Sequence, residues 1–384
     1  MSDFRFRPVP KEDPHVKMLR LALAVACLAL AAGCGSDDAP TSRLLTPGTS
    51  YHGAMTPAAP VGITEPQALV ATADPGFVFA GWVATPADKA AFADAALAST
   101  TVILSGDATI APTFMVATAT LFVNPRLGAD DATGTSAAQP FRTLTHAFAV
   151  AGGGAKGPAP VIAVAPGTYD AAGGETFPLV VPAGITVVGD EENKGAGIVV
   201  SGAGPMATRE FFQTAMVPSS NATVAGLTVT TTGNCSLAYE APTGGAGITL
   251  RNNTIATGGF CGVYLMVASG GMIADNLWQG GGTGMTLIAV GGDATTPVQG
   301  NVFQGPVELD NNYLDLGGGA GASTGHNQFI GAGMNFFTGL GVKARDNHWR
   351  HAPPTVSPTW AQGPSEYDMF LLGVNTTVDT AGYY

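Results

Sequence analysis

Four ionisable side chains lie close together near the end of the chain: Lys343, Arg345, Asp346 and His348. A basic side chain beside carboxylates can take a proton from a sugar acid, provided that the groups converge on one point. These four are therefore candidate catalytic residues. The competing interpretation is that their charges are simply solvated on the surface.

Alternation along an extended strand would place side chains two residues apart on the same face. On that basis we expect Lys343 and Arg345 to share one face with Asn347 and Trp349.

A second group of candidates consists of the carboxylates Glu308, Asp310 and Asp315. Carboxylate oxygens are the ligands that Ca²⁺ prefers. A pair of carboxylates is also what glycoside hydrolysis needs, and Asp275 could complete such a pair. Glu308 and Asp310 have the spacing of one exposed strand face, which equally fits a solvated strand. A Ca²⁺ site, a hydrolytic pair and a solvated strand stay open, and we expect no other cofactor.

Composition narrows the fold and the partners. Charged residues are only 11% and hydrophobic residues 46%, which excludes a disordered chain. The 53 glycines argue against a helical bundle and favour short strands joined by turns. A net charge of −12 disfavours nucleic acid as a partner. The sequence has no Zn²⁺-type spacing of His or Cys, no Gly-x-Ser-x-Gly elbow and no phosphate loop.

The first 33 residues have the features of an export signal. Lys17 and Arg20 accompany a short apolar run over residues 19–32, too short for a comfortable membrane span. The run ends in Gly33-Cys34 and resembles the bacterial lipobox, whose cysteine is lipidated. That resemblance implies a lipoprotein of the cell envelope, at the outer membrane or cell surface, anchored in the membrane through Cys34. A cleaved signal with an incidental cysteine is the alternative, and residues 34–64 are the predicted tether.

Residues 65–118 are predicted to form a small β-rich module. Period-two runs at residues 68–73, 77–82 and 101–104 are separated by turn sequences. Their order resembles the internalin-type B repeat, a small module of bacterial surface proteins. We expect Trp82 to be a core residue of this module and not a platform for sugars.

A short phrase, in which Asn precedes an apolar pair, then returns every 20 to 26 residues. Its asparagines are Asn253, Asn276, Asn301, Asn327 and Asn347. One coil of three short strands needs about that length, and stacked coils place equivalent positions ~4.8 Å apart. The repeated asparagines can then form a hydrogen-bonded ladder, with Phe303 pointing into the core. Asn312 breaks the series and is assigned to another wall of the same coil.

Residues 119–384 are accordingly predicted to form a right-handed parallel β-helix of one chain, with three sheets and an N-terminal helical cap. Pro140 suits the first position of that capping helix. Several pieces occur in order: Gly128-x-Asp130, Gly134-Thr135, Pro140-Phe141-x-Thr143, Ala165-Pro166-Gly167-Thr168-Tyr169 and Gly174-Glu175-Thr176-Phe177-Pro178-Leu179. They resemble an uncharacterised pectin-lyase-like β-helix family of bacterial and archaeal surface proteins. The resemblance implies the fold and no particular activity.

Beyond Cys34 the chain has two cysteines, Cys235 and Cys261. Each lies eight residues after an equivalent position of successive coils, Leu227 and Asn253, so we expect them to be vertical neighbours. A separation of ~4.8 Å is within the range of a disulfide, which export favours. Two buried free thiols are the alternative.

Two functions remain open at this point. A non-catalytic surface protein, structural or glycan-binding, is favoured by the adhesive-type module and the anchor. A carbohydrate-active enzyme, either a polysaccharide lyase or a glycoside hydrolase, is favoured by the fold and the candidate residues. A polysaccharide is the expected partner of a glycan-binding protein or an enzyme but not of a purely structural one, and the protein is expected to be a monomer.

Overall fold

Nearly all regular structure in the described part of the chain is β-strand, as the alternating apolar residues and frequent turns predict. The computed structural model describes residues 41–153, 159–240, 246–266, 270–280, 285–290, 296–310, 314–331, 333–336, 341–357, 367–371 and 376–384. The predicted signal of residues 1–33, Cys34 and Asn312 lie outside these residues.

The N-terminal β module consists of two four-stranded sheets, with strand orders β3-β1-β8-β5 and β2-β4-β7-β6. Its elements are β1 (Arg43–Pro47), β2 (Gly53–Thr56), β3 (Val61–Ile63), β4 (Gln67–Ala73), β5 (Phe77–Thr85), a 3₁₀ turn (Ala87–Lys89), β6 (Ala90–Phe92), β7 (Ser99–Leu104) and β8 (Ala108–Val116). Leu45, Leu69 and Trp82 are buried in its core, and the Trp82 indole N–H donates to the carbonyl of Leu97 at 2.9 Å. Because β1 lies between β3 and β8, the module begins at residue 43, inside the segment predicted to be a tether.

Three long parallel sheets follow. The first, the base sheet, contains β9 (Leu121–Val123), β10 (Val161–Val164), β13 (Thr186–Val188), β17 (Thr223–Ala225), β20 (Thr249–Arg251), β23 (Met272–Ala274) and β26 (Val298–Gln299). The second, the middle sheet, contains β11 (Gly167–Tyr169), β14 (Ile198–Ser201), β18 (Thr228–Thr230), β21 (Thr254–Ala256), β24 (Leu277–Gln279), β27 (Val302–Phe303) and β29 (Gln328–Phe329). The third, the long sheet, contains β12 (Leu179–Val181), β15 (Gly204–Met206), β16 (Arg209–Pro218), β19 (Cys235–Glu240), β22 (Cys261–Met266), β25 (Met285–Val290), β28 (Val307–Asp310), β30 (Met334–Phe336), β32 (Val356–Ser357) and β33 (Met369–Leu371). A separate pair joins β31 (Gly341–Lys343) to β34 (Thr377–Asp379).

Successive coils visit the three sheets in the same order, as β20, β21 and β22 do. Each strand pairs in parallel with its equivalent in the next coil, so that Thr254, for example, lies beside Leu277. The sheets enclose one continuous apolar core. This arrangement is the right-handed parallel β-helix that the sequence predicts.

A sharp corner joins the base sheet to the middle sheet. At this corner, one residue of each successive coil has a positive φ, a conformation that favours Gly, Asn and Asp. These residues are Gly226, Asn252, Asp275, Gly300, His326 and Asp346. The position that follows is Leu227 in the first of these coils and Asn in the later ones.

The corner asparagines form the predicted ladder. Nδ2 of Asn253 donates to Oδ1 of Asn276 at 3.0 Å, and the same contact repeats at 3.0 Å from Asn276 to Asn301, from Asn301 to Asn327 and from Asn327 to Asn347. Each of these oxygens also accepts the backbone N–H of the preceding asparagine. All five side chains are buried, so the ladder satisfies polar groups that would otherwise lack water.

An aromatic column lies beside the ladder, two residues after each asparagine. Its rings are Trp278, Phe303, Phe329 and Trp349, with centroids 5.2, 5.2 and 4.5 Å apart. Phe303 is fully buried, as predicted. The indole of Trp278 donates to the ladder oxygen of Asn301 at 3.2 Å.

Cys235 and Cys261 occupy paired positions of β19 and β22, in the predicted register. The structure joins them by a disulfide, with a Cα–Cα distance of 4.6 Å. The bond therefore links two adjacent coils across 26 residues of sequence.

A short helix, α1 (Leu144–Gly152), packs over the first coils. It begins four residues after Pro140, because Asp130 accepts the backbone N–H groups of Arg142 and Thr143 and holds this stretch out of the helix. Thr143 is the N-cap, with its hydroxyl accepting the N–H of His146 at 3.1 Å. Within the described ranges, no helix is both long enough and apolar enough to cross a bilayer.

Candidate functional site

The basic candidates Lys343 and Arg345 are held by one carboxylate, that of Asp379. Lys343 Nζ lies 2.9 Å from Asp379 Oδ2, and Arg345 Nε lies 2.7 Å from the same oxygen. Arg345 and then Lys343 hold the pKa of Asp379 well below its usual range, and the same contact raises the pKa of Arg345. Pairing β31 with β34 thus places both cations in a surface ion-pair network.

The predicted common face of Lys343 and Arg345 with Asn347 and Trp349 is wrong. Lys343 and Arg345 are exposed, whereas Asn347 and Trp349 are buried. The reason is the corner at Asp346, where a φ of 57° turns the chain and reverses the alternation.

Asp346 and His348 have different surroundings from the two cations. Asp346 lies at the exposed corner, and its backbone N–H donates to Ala381 at 2.9 Å. The His348 ring stacks on Tyr384, with centroids 5.6 Å apart. The carboxylate of Asp346 helps to raise the pKa of Arg345 through space. No hydrogen bond or ion pair among the described residues joins the side chains of Asp346 and His348 to each other or to the Lys343–Asp379 network, so the four candidates do not form one hydrogen-bonded site.

Asp315 serves the fold and is separate from the other predicted Ca²⁺ ligands. Its carboxylate is 1% exposed and accepts the backbone N–H groups of Gly317, Gly319 and Ser323 at 2.8 to 3.0 Å. It lies beside Pro297, against the base sheet, whereas Glu308 and Asp310 belong to the long sheet. The predicted grouping of Glu308, Asp310 and Asp315 around Ca²⁺ is therefore not formed.

Asp275 is a corner residue, with a φ of 57°, and its carbonyl accepts Lys194 Nζ at 2.5 Å. It belongs to the corner between the base and middle sheets and not to the long sheet. Among the described residues, no group of three or more His, Cys, Asp or Glu side chains could hold a metal ion.

Glu308 and Asp310 do share a face of β28, as their spacing predicts. Their neighbours in the adjacent strand are Ile288 and Val290, which also point away from the core. Burial against this surface raises the pKa of Glu308, and the carboxylate of Asp310 raises it further. The pair therefore has one carboxyl group that gains a proton more readily than an isolated Glu.

Other buried carboxylates organise loops in the way that Asp315 does. Glu175 accepts the N–H groups of Leu144 and Thr145 at the start of α1. Asp368 accepts the N–H of Thr355 at 2.8 Å and lies 3.0 Å from His351 Nδ1. Spacing in the sequence gives no sign of these roles, because the donors are backbone groups brought together only by the coils.

An apolar surface that sequence reasoning missed covers the outer side of the long sheet. We call it the long-sheet face; its members are Met206, Phe212, Ala238, Phe260, Tyr264, Met285, Ile288 and Val290. Phe212 packs against Tyr264, with centroids 5.3 Å apart, and the Arg209 guanidinium lies 5.7 Å from the Tyr264 ring centre. Phe260 is 48% exposed. Apolar residues at consecutive positions of β16 were the available signal, but that pattern is also typical of a strand buried on both sides.

The protein is a β-helix with three parallel sheets, a corner ladder of asparagines and a solvent-exposed aromatic face. Among the described residues, the candidate catalytic side chains do not converge on one point. The family model described as a protein of unknown function, DUF1565, matches residues 127–356, and the chain belongs to this family. No curated protein and no solved structure matches the chain.

Proposed function

We propose that the protein is a non-catalytic, glycan-binding lipoprotein of the bacterial cell envelope, and that the long-sheet face contacts the glycan. The observation that carries the proposal is the exposure of Phe260, whose ring packs against Phe212, which in turn packs against Tyr264. Exposed contiguous aromatic side chains on an ordered sheet are unfavourable in water, so their presence indicates a binding surface. Sugar rings have apolar faces that pack on aromatic rings, and their hydroxyls can bond to nearby polar groups.

Polar groups are available at the margin of this face. Arg209 lies 3.4 Å from Glu240, and Glu308 and Asp310 lie on the same side of the sheet. A surface that combines aromatic rings with carboxylates and a guanidinium suits hydroxyl-rich ligands better than a purely apolar partner.

Anchoring belongs to the same proposal and rests on the sequence. The lipobox-like end of the apolar run supports diacylation of Cys34, and the β module resembles those of bacterial surface proteins. Changing Cys34→Ala should release the protein from membranes into the soluble fraction. An unchanged membrane fraction would contradict the anchor but not the glycan site.

Binding is tested by titrating a panel of neutral and acidic oligosaccharides into the full chain. The Phe260→Ala variant should lose most of the affinity, because stacking on aromatic rings supplies it. The matched control is Val180→Ala, an exposed position of the same sheet outside the face. If both variants bind as the wild type does, the long-sheet face is not the site.

Glycoside hydrolysis is the alternative function, and Glu308 with Asp310 favours it. Two residues along a strand separate carboxylates by ~7 Å, within the ~6.5–9.5 Å of inverting hydrolases. The raised pKa of Glu308 suits a general acid. New reducing ends from the same glycan panel, lost in Glu308→Gln, would establish hydrolysis and overturn the non-catalytic proposal.

A further inference from the structure

A cleft of about 230 Å³ lies between the β module and the β-helix. Phe114 and Pro112 line it from the module, and Pro166 lines it from the β-helix. Tyr51 and Arg126 complete the rim. Sites for small ligands are frequent where two bodies of a protein meet, because both contribute walls to a concave surface.

One side of the cleft is fixed by His52. Its Nε2 lies 2.9 Å from Asp190 Oδ1, and its ring stacks on Phe77 with centroids 3.9 Å apart. Asp190 also accepts the backbone N–H and the side-chain amide of Asn193, at 3.1 and 2.9 Å. The carboxylate of Asp190 is therefore engaged within the protein, and it holds module and β-helix together at this edge.

The polar groups left for a ligand are donors. The Tyr51 hydroxyl and the Arg126 guanidinium have no hydrogen bond or ion pair with the described residues, and both side chains are exposed. By contrast, Arg251 pairs with Glu191 and Arg345 pairs with Asp379. An unpaired guanidinium at the rim of a cleft, in a chain of net charge −12, favours an anionic ligand.

We propose that this cleft binds a uronic-acid residue at the end of an acidic glycan. Arg126 pairs with the carboxylate through two parallel N–H donors, which is the geometry that guanidinium groups favour. The ring of Tyr51 contacts the apolar face of the sugar, and the Tyr51 hydroxyl donates to a ring substituent. The volume is below the ~300–1,000 Å³ of drug-sized pockets and therefore suits a single sugar residue.

The choice of a sugar over a peptide carboxylate rests on the proposed glycan-binding function. The site itself is separate from the long-sheet face and is formed by different elements. The two can therefore be tested independently.

The test compares the methyl glycosides of galacturonic acid and galactose, which differ in the carboxylate. Calorimetric titration of the full chain should give a Kd in roughly the millimolar range for the galacturonate and at least ~tenfold weaker binding of the galactoside. Arg126→Gln should weaken galacturonate binding at least ~tenfold. Arg142→Gln is the matched control, since this exposed arginine lies outside the cleft, and it should bind as the wild type does.

Equal binding of the two glycosides, absence of binding, or full affinity in Arg126→Gln would overturn the proposal. Equal binding of an acetylated dipeptide with a free carboxylate would also overturn it, by showing a general carboxylate site. Loss of galacturonate binding in Phe260→Ala would move the ligand to the long-sheet face. If galacturonate still binds the cleft but oligosaccharides do not bind the long-sheet face, the proposed function is contradicted and the proposal for the cleft stands.

Discussion

The corner of the β-helix and the long-sheet face use the same coils in opposite ways. At the corner, every asparagine from Asn253 to Asn347 bonds to its equivalent in a neighbouring coil, and the side chains are buried. On the long-sheet face, Phe260 extends into solvent and is not needed to complete a core. Repetition thus marks the part of each coil that stabilises the fold, and departure from repetition marks the part available for binding.

The strongest way to break this comparison is to remove one ring from each region. Phe303→Ala opens the aromatic column between Trp278 and Phe329 and should lower the free energy of unfolding by ~3–5 kcal/mol. Phe260→Ala removes a half-exposed ring of the long-sheet face and should change stability by less than ~1 kcal/mol. Urea unfolding followed by circular dichroism measures both. Equal losses of stability would show that the two rings contribute equally to folding, which would contradict the comparison.

The disulfide links two adjacent coils at the long-sheet face, where Cys235 and Cys261 are buried in the apolar cluster. Replacing both with Ala frees 26 residues of chain in the unfolded state and should reduce stability by ~3 kcal/mol. Wild-type protein unfolded under reducing conditions is the control and should show a similar loss. Two alkylated thiols in unreduced protein from the cell envelope would mean that the bond does not form there.

A single rung of the ladder should matter less than a ring. Asn301→Ala leaves the Asn276 amide and the Trp278 indole without an acceptor and should reduce stability by ~1–3 kcal/mol. Asn335, on the outer side of the long sheet, is the matched control, and Asn335→Ala should change stability by less than ~0.5 kcal/mol. If Asn301→Ala leaves the free energy of unfolding unchanged, the ladder does not contribute to stability.

The smallest expected effect concerns the surface ion pairs of Asp379. Its folded-state pKa lies below the unfolded value of ~3.9, so the pairs stabilise the protein above that pH. The contribution is lost as the pH falls through the folded pKa, and screening keeps it small. Asp379→Asn should therefore differ from the wild type at pH 6 and converge with it in strong acid. A difference that is constant with pH would show that charge is not responsible.

Sequence reasoning succeeded where one coil predicts the next. The spacing of Asn253, Asn276 and Asn301 was sufficient to predict the register, and that register aligned Cys235 with Cys261. It was also sufficient to predict that Phe303 points inward.

It failed where a local turn or an outer surface decides the outcome. The φ of Asp346 reversed the faces of Lys343 and Arg345, and alternation alone could not reveal it. Residues 43–63 looked like a tether because they are rich in small and polar residues, yet their neighbours in the module draw them into strands. The long-sheet face was missed because outward apolar residues have the same pattern as buried ones.

The ladder also has a direction. From Asn253 to Asn327, each side-chain amide donates to the oxygen of the asparagine in the next coil, so the amide dipoles align and reinforce one another. At the far end, Trp349 has a buried indole N–H without an acceptor among the described residues, because the position after the corner glycine Gly382 is Tyr383 and not Asn. The asparagine ladder therefore resembles a helix, because it has partial charges of opposite sign at its two ends. Its electropositive end is at the last described coils.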